Sequence, residues 1–205
     1  TEIAALVTGV SLAVTQVASC RPRLASPATQ FLLNPCLRPF LEGTTATPPV
    51  SWQRFQPTLA AMGSVAASNF IVGFHGSPAP AAIMCEGWNT NLRNGQMYGP
   101  GEYFDTDMNT SLGHGACDTG EVVVALVVRS KAKVTSPEPG CQYVVVNNPK
   151  GAHDAATAAF CFPLGFVMQP HQTPPPACPK CVRAYRRRRR PSRRSRTPPS
   201  FLSLH

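Results

Sequence analysis

Apolar runs separated by turn-forming clusters divide the second half of the chain into short predicted strands. The strongest is residues 121–128, a valine-dominated run entered by Glu121 and closed by Arg129. An unbroken apolar run of that length predicts a strand buried on both faces. Residues 70–74 predict a second buried strand, ending at His75-Gly76-Ser77-Pro78. Residues 143–146 predict a third, stopped by Asn147-Asn148-Pro149, and residues 164–168 a fourth, entered through Pro163. Helical spacing over residues 80–86 stops at Gly87, a C-cap glycine. Residues 56–67 predict a short helix, and residues 106–112 one or two helical turns. Residues 94–101 are turn chemistry throughout, followed by Tyr103-Phe104 as a short extended piece.

Residues 1–20 carry Ala, Leu and Val over much of their length and predict a helix. Residues 21–50 are rich in Pro, Arg, Thr and Ser and read as an irregular linker. Ordered packing is expected to begin near Trp52 and Phe55 and to end near residues 168–170. Beyond that, Pro-rich and Arg-rich sequence cannot build a core and predicts a disordered tail. The expected organisation is therefore an N-terminal helix and linker (1–50), one domain (51–170) and a tail (171–205). Few helices and many short strands indicate a sheet-dominated α+β domain. A chain of 205 residues suits one such domain with appendages.

The net charge of +9 does not describe the domain. Residues 1–182 balance ten Lys or Arg against ten Asp or Glu, whereas residues 183–205 carry nine Arg and no acid. The body therefore gives no electrostatic reason to expect nucleic-acid binding, and the excess belongs to a solvated appendage. The Arg-rich tail reads as a nuclear-targeting signal or a weak, sequence-blind nucleic-acid contact. Eight cysteines at wide, irregular spacing read as reduced thiols rather than a disulfide framework, which favours an intracellular protein, nuclear or cytoplasmic. Cys178-Pro179-Lys180-Cys181 is half of a zinc-ribbon spacing with no second pair, so no metal is expected. The apolar stretch of residues 3–17 is too short and too polar to span a membrane, so no membrane partner is expected.

Three segments carry candidate chemistry. Phe74-His75-Gly76-Ser77 ends a strand in a turn, which exposes a side chain and a backbone edge. Tyr98-Gly99-Pro100-Gly101-Glu102-Tyr103-Phe104 flanks a proline with glycines, which let backbone approach a ligand closely. Gln142 opens the strand Tyr143-Val144-Val145-Val146 with a polar residue. In order and spacing these segments resemble the catalytic domain of the poly(ADP-ribose) polymerase family. The first is similar to its "hydrophobe-His-Gly-Ser/Thr" strand end. Gly95–Phe104 resembles its "G-x-M-[FY]-G-x-G-[IV]-Y-F-A" segment. Ser111 and His114, eight and eleven residues after Tyr103, stand where the family has a serine and an aromatic. The resemblance covers residues 68–169.

The resemblance implies an ADP-ribosyltransferase-like fold with a split, antiparallel-rich sheet, NAD as co-substrate and a protein acceptor. It implies that the Gly76 backbone and the Ser111 hydroxyl hold the nicotinamide amide, with Ser77 and Phe104 lining the pocket. His114 would stack on the ring in place of the usual tyrosine. His75 and Tyr103 would hold the nicotinamide ribose. Where polymerising members have a glutamate, this chain has Gln142, which forms hydrogen bonds but is no base at neutral pH. Transfer of single ADP-ribose units is the activity implied; the alternatives are an inactive NAD-type binding module and a nucleic-acid-associated protein acting through its tail. Glu102 and Asp105 flank Tyr103. Alternation turns Glu102 away from Tyr103 and lets Asp105 share its face, but neither is assigned the missing carboxylate's role.

Overall fold

The computed structural model describes residues 2–20, 30–93, 96–114, 121–138, 141–150 and 156–168. Their elements run in the order α1 (Glu2–Cys20), β1 (Gln30–Leu33), α2 (Arg38–Leu41), α3 (Val50–Ala61), β2 (Phe70–Gly76), α4 (Pro80–Glu86), β3 (Glu102–Asp105), α5 (Met108–His114), β4 (Glu121–Val128), β5 (Ala132–Glu138), β6 (Cys141–Val146) and β7 (Cys161–Met168). The strands form one seven-stranded sheet in the order β1-β7-β4-β2-β3-β6-β5, and every pairing is antiparallel. The chain is thus an α+β protein built on an antiparallel sheet with few helices. No described helix is long and apolar enough to cross a membrane.

β4 sits centrally because its sequence tolerates burial on both sides. Val122, Val124, Leu126 and Val128 meet Phe70, Val72 and Phe74 of β2 under α1 and α3. Val123, Ala125 and Val127 meet Phe104, Val144 and Val146 on the other face, with Met84 and Trp88 of the α4 segment above them. Each fully buried side chain of this size stabilises the fold by about 1.5–3 kcal/mol. The unbroken run at 122–128 reflects this two-sided burial: strand alternation serves two cores at once.

The segment expected to be an irregular linker contributes to the domain. Phe31, Leu32 and Leu33 of β1 pair with Val167, Phe166 and Gly165 of β7 at the sheet edge. A Cβ on Gly165 would run into the Leu32 carbonyl, so β1 lies that close only because position 165 has no side chain. Packing also starts well before Trp52, since Ala5, Leu6, Ala13 and Val17 of α1 are in the main core. Three apolar residues between prolines are too few to show a period, which is why β1 is not apparent in the sequence. β5 escapes notice for another reason. It is an edge strand pairing only with β6, and it carries Lys133, Ser136 and Pro137 in place of an apolar run. α3 starts at Val50 because Pro49, extended at φ −62° and ψ 152°, stands at its N-cap.

The expectation of reduced thiols is corrected for one pair: Cys36 and Cys85 form a disulfide across 49 residues, with Cα atoms 5.5 Å apart. Sequence spacing is silent on this proximity, which the β1 turn creates. Asn34 donates from Nδ2 to the carbonyls of Met84 and Pro163 at 2.9 and 2.8 Å, so the turn lies against α4 and β7. Its Oδ1 accepts from the Cys36 N–H at 2.9 Å, which sets Cys36 beside Cys85. The thiol argument for an intracellular location loses its footing here. Cys161 is buried and free, and burial pushes its thiol pKa up. The Cys178–Cys181 pair and the Arg-rich tail lie outside the described residues.

Candidate functional site

The sheet is narrowest in register where β2 meets β3. β2 pairs with β4 over its whole length, from Phe70↔Val128 to Gly76↔Val122. With β3 it shares a single register pair, Phe74↔Asp105. The Phe74 carbonyl accepts from Ser111 Oγ of α5 at 2.8 Å. Beyond that point no further register pair joins the two strands among the described residues, and Gly76, half-buried, ends β2 two residues further on.

His75 lies on the face opposite Phe74 by alternation. Its ring packs against Trp88 and Phe104, with centroids 5.9 and 5.8 Å away. Nδ1 is 2.8 Å from the Tyr103 carbonyl. A carbonyl only accepts, so Nδ1 carries the proton and the Nε2 lone pair is left to accept. Burial lowers the His75 pKa, opposed by the Tyr103 carbonyl and the charge of Glu102, so the ring is held neutral.

Tyr103 occupies the other face. Its hydroxyl donates to the Gly99 carbonyl at 2.5 Å and accepts from the Tyr98 N–H at 2.8 Å. It thereby closes the 98–101 turn, and burial raises its pKa. At Gly101, where φ is 154°, a Cβ would stand 2.6 Å from the Val146 carbonyl, so the turn lies hard against β6. The Tyr98 and Tyr143 rings stack at 5.5 Å beside it. The structure therefore joins His75 to the backbone of Tyr103, while the imidazole and the phenol leave the sheet on opposite faces.

The remaining positions divide between core, turn and surface. Phe104 is wholly buried, its ring 5.1 Å from that of Trp88, and acts as core. Ser77 is buried, and its hydroxyl accepts from the Ala79 N–H at 3.1 Å in the turn into α4. Gln142 is exposed at the start of β6, where its carbonyl accepts from Thr106 N–H. His114 ends α5, and its side chain lies outside the described residues. Ser111 is fully buried, with Oγ 2.8 Å from the Phe74 carbonyl and 2.6 Å from Asp105 Oδ2.

Two acids near Tyr103 have different fates. Glu102 forms a buried ion pair with Arg93, Nε to Oε1 at 2.7 Å and Nη2 to Oε2 at 3.1 Å. Asn148 Nδ2 adds a third bond to Oε2 at 2.7 Å, so this carboxylate is fully engaged. Asp105 is 5 % exposed, its Oδ1 is buried without a hydrogen-bond partner among the described residues, and burial raises its pKa from 3.8 to about 7. Trp88 and Asp105 are the site neighbours that sequence reasoning left unassigned. The signal for Asp105 was present: an acid two residues beyond Tyr103 shares its face.

An open groove of about 700 Å³ lies at the far end of β4, bordered by Thr58, Met62, Asn69, Arg129, Lys131 and Phe160, and does not include the His75 region. Among the described residues no three His, Cys, Asp or Glu side chains cluster closely enough to hold a metal. No family model and no curated protein matches the chain.

Proposed function

We propose that the chain is an NAD-dependent ADP-ribosyltransferase, of the kind that the poly(ADP-ribose) polymerase resemblance implies, on an ADP-ribosyltransferase-like fold. It transfers single ADP-ribose units to a protein acceptor and releases nicotinamide. The observation that carries this is the end of the β2–β3 register at Phe74↔Asp105, two residues short of Gly76, with His75 fixed as the Nδ1–H tautomer beside it. A glycine edge offers an N–H and a C=O to a carboxamide, and a neutral imidazole offers Nε2 to a ribose hydroxyl. Positioning of this kind is what the reaction needs. The bond from ribose C1′ to the nicotinamide nitrogen breaks, and its electron pair leaves with neutral nicotinamide. The acceptor's lone pair then bonds to C1′ and its proton passes to solvent. Tyr103 serves by shaping the 98–101 turn.

A second reading, binding of an NAD-type ligand without turnover, is favoured by the carboxylates. Gln142 carries no charge, Glu102 is held by Arg93, and Asp105 is held by Ser111. Incubation with NAD labelled in its adenylate half separates the two. The enzyme transfers label to itself or to added protein, and His75→Ala loses most of it. Calorimetric NAD binding without label selects the second reading, and equal labelling by wild type and His75→Ala removes the first. An intracellular site of action, with the Arg-rich tail as a nuclear signal or nucleic-acid arm, belongs to this proposal. The Cys36–Cys85 disulfide weighs against a reducing compartment, and cell fractionation decides it.

A further inference from the structure

Ser111 Oγ has one proton and two neighbours that both lie at accepting distance: the Phe74 carbonyl at 2.8 Å and Asp105 Oδ2 at 2.6 Å. A carbonyl cannot donate. If Asp105 is ionised, it competes with Phe74 for the single serine proton. If Asp105 is protonated, it donates to Oγ, and the serine proton is free to go to a carbonyl. Both side chains are buried, and Oδ1 of Asp105 has no partner among the described residues, so nothing there compensates a full charge.

We propose that Asp105 is a positioning residue that decides whether the Ser111 hydroxyl is available to the carbonyl oxygen of a carboxamide ligand. In the protonated state Asp105 donates to Ser111 Oγ and the serine proton goes to a carbonyl, that of Phe74 or, where a ligand displaces it, that of the carboxamide; in the ionised state Asp105 takes that proton itself. This rests on the nicotinamide-site reading and adds to it a proton switch at a residue to which the resemblance gives no role. The raised pKa of Asp105, about 7 and caused chiefly by burial, puts the switch in the neutral range. Among the described residues the groups around Asp105 are few. Asp107 in the adjoining turn adds like charge, and the Tyr143 phenol stands at the paired position of β6. β2 offers Phe74, α1 offers the neutral Gln16 through its bond to the Thr106 carbonyl, and α5 ends at His114.

Calorimetric titration of the full chain with nicotinamide from pH 5 to pH 8.5 tests this. Affinity falls as pH rises through the switch, approaching about tenfold per pH unit above the midpoint. Asp105→Asn, whose amide donates to Ser111 as the protonated acid does, binds with a flat profile and near wild-type strength at low pH. A pH slope that persists in Asp105→Asn belongs to His75 or His114 and overturns the proposal, as does loss of binding in that variant at pH 5. Absence of binding by both proteins at every pH overturns the nicotinamide reading and this proposal together. Carbon NMR of the Asp105 carboxyl adds a ligand-free check: a midpoint in the ordinary carboxylate range overturns the switch, and one near neutrality that nicotinamide moves upward supports it.

Discussion

At the scale of single residues, the region around β3 is governed by how each buried polar group is compensated. Glu102 is compensated by Arg93 and Asn148, which both bond its carboxylate oxygens. Asp105, three residues along, has one serine and a neighbouring acid. The consequence for stability has a definite sign. The folded pKa of about 7 exceeds the ordinary 3.8, so between those values the folded chain holds a proton that the unfolded chain has released. Stability from this group is complete below about pH 4, falls as pH rises, and is lost above pH 7. Urea unfolding of wild type and Asp105→Asn across pH 4–8 should show the variant gaining on wild type as pH rises. A constant difference would refute a buried, raised carboxyl. His75 acts in the opposite direction: its lowered pKa makes it a source of instability as pH falls below 6.5.

Among elements, those with strong periods were legible and those that borrow their stability were not. The central parts of four strands, at 70–74, 121–128, 143–146 and 164–168, with the α4 helix, follow from apolar runs and a C-cap glycine. β1, β5 and the core role of α1 do not. β1 is three apolar residues among prolines, stabilised by the β7 ladder and by the space Gly165 leaves. α1 is apolar enough to read as a helix, but only its contact with β2, β4 and β7 makes it part of the domain. Gly9 is part of that contact, since a Cβ there would meet Leu126 Cδ2 at 2.9 Å. A chain starting at Val50 therefore exposes Leu126 and Leu164 on one face. We expect it to lose cooperative thermal unfolding and to bind a hydrophobic dye, whereas a chain ending at Met168 keeps a sharp transition. A cooperative transition in the chain starting at Val50 would show that α1 is dispensable.

For the whole molecule, the disulfide and the sheet order act together. Cys36–Cys85 ties the turn after β1 to α4, and Trp88, just past α4, packs on His75. Opening it restores the unfolded chain's freedom over 49 residues, a loss of about 2–4 kcal/mol in folding stability. Thermal unfolding with and without reductant, repeated for Cys36→Ser with Cys85→Ser, should show one lower midpoint shared by reduced wild type and the double variant. A midpoint unchanged by reductant would place no stabilising bridge there.

The sequence alone determined the valine-rich centre of the sheet and the α+β class, because local periods and turn chemistry are written into neighbouring positions, and it marked His75, Gly76 and Tyr103 as points of interest, with Ser111 added by the family resemblance. Only the tertiary structure decided that imidazole and phenol part to opposite faces and that Ser111 is shared with Asp105. It likewise decided that Cys36 meets Cys85. Each of these depends on which strands lie side by side and in what register, and no local pattern encodes a distance between residues far apart in the chain.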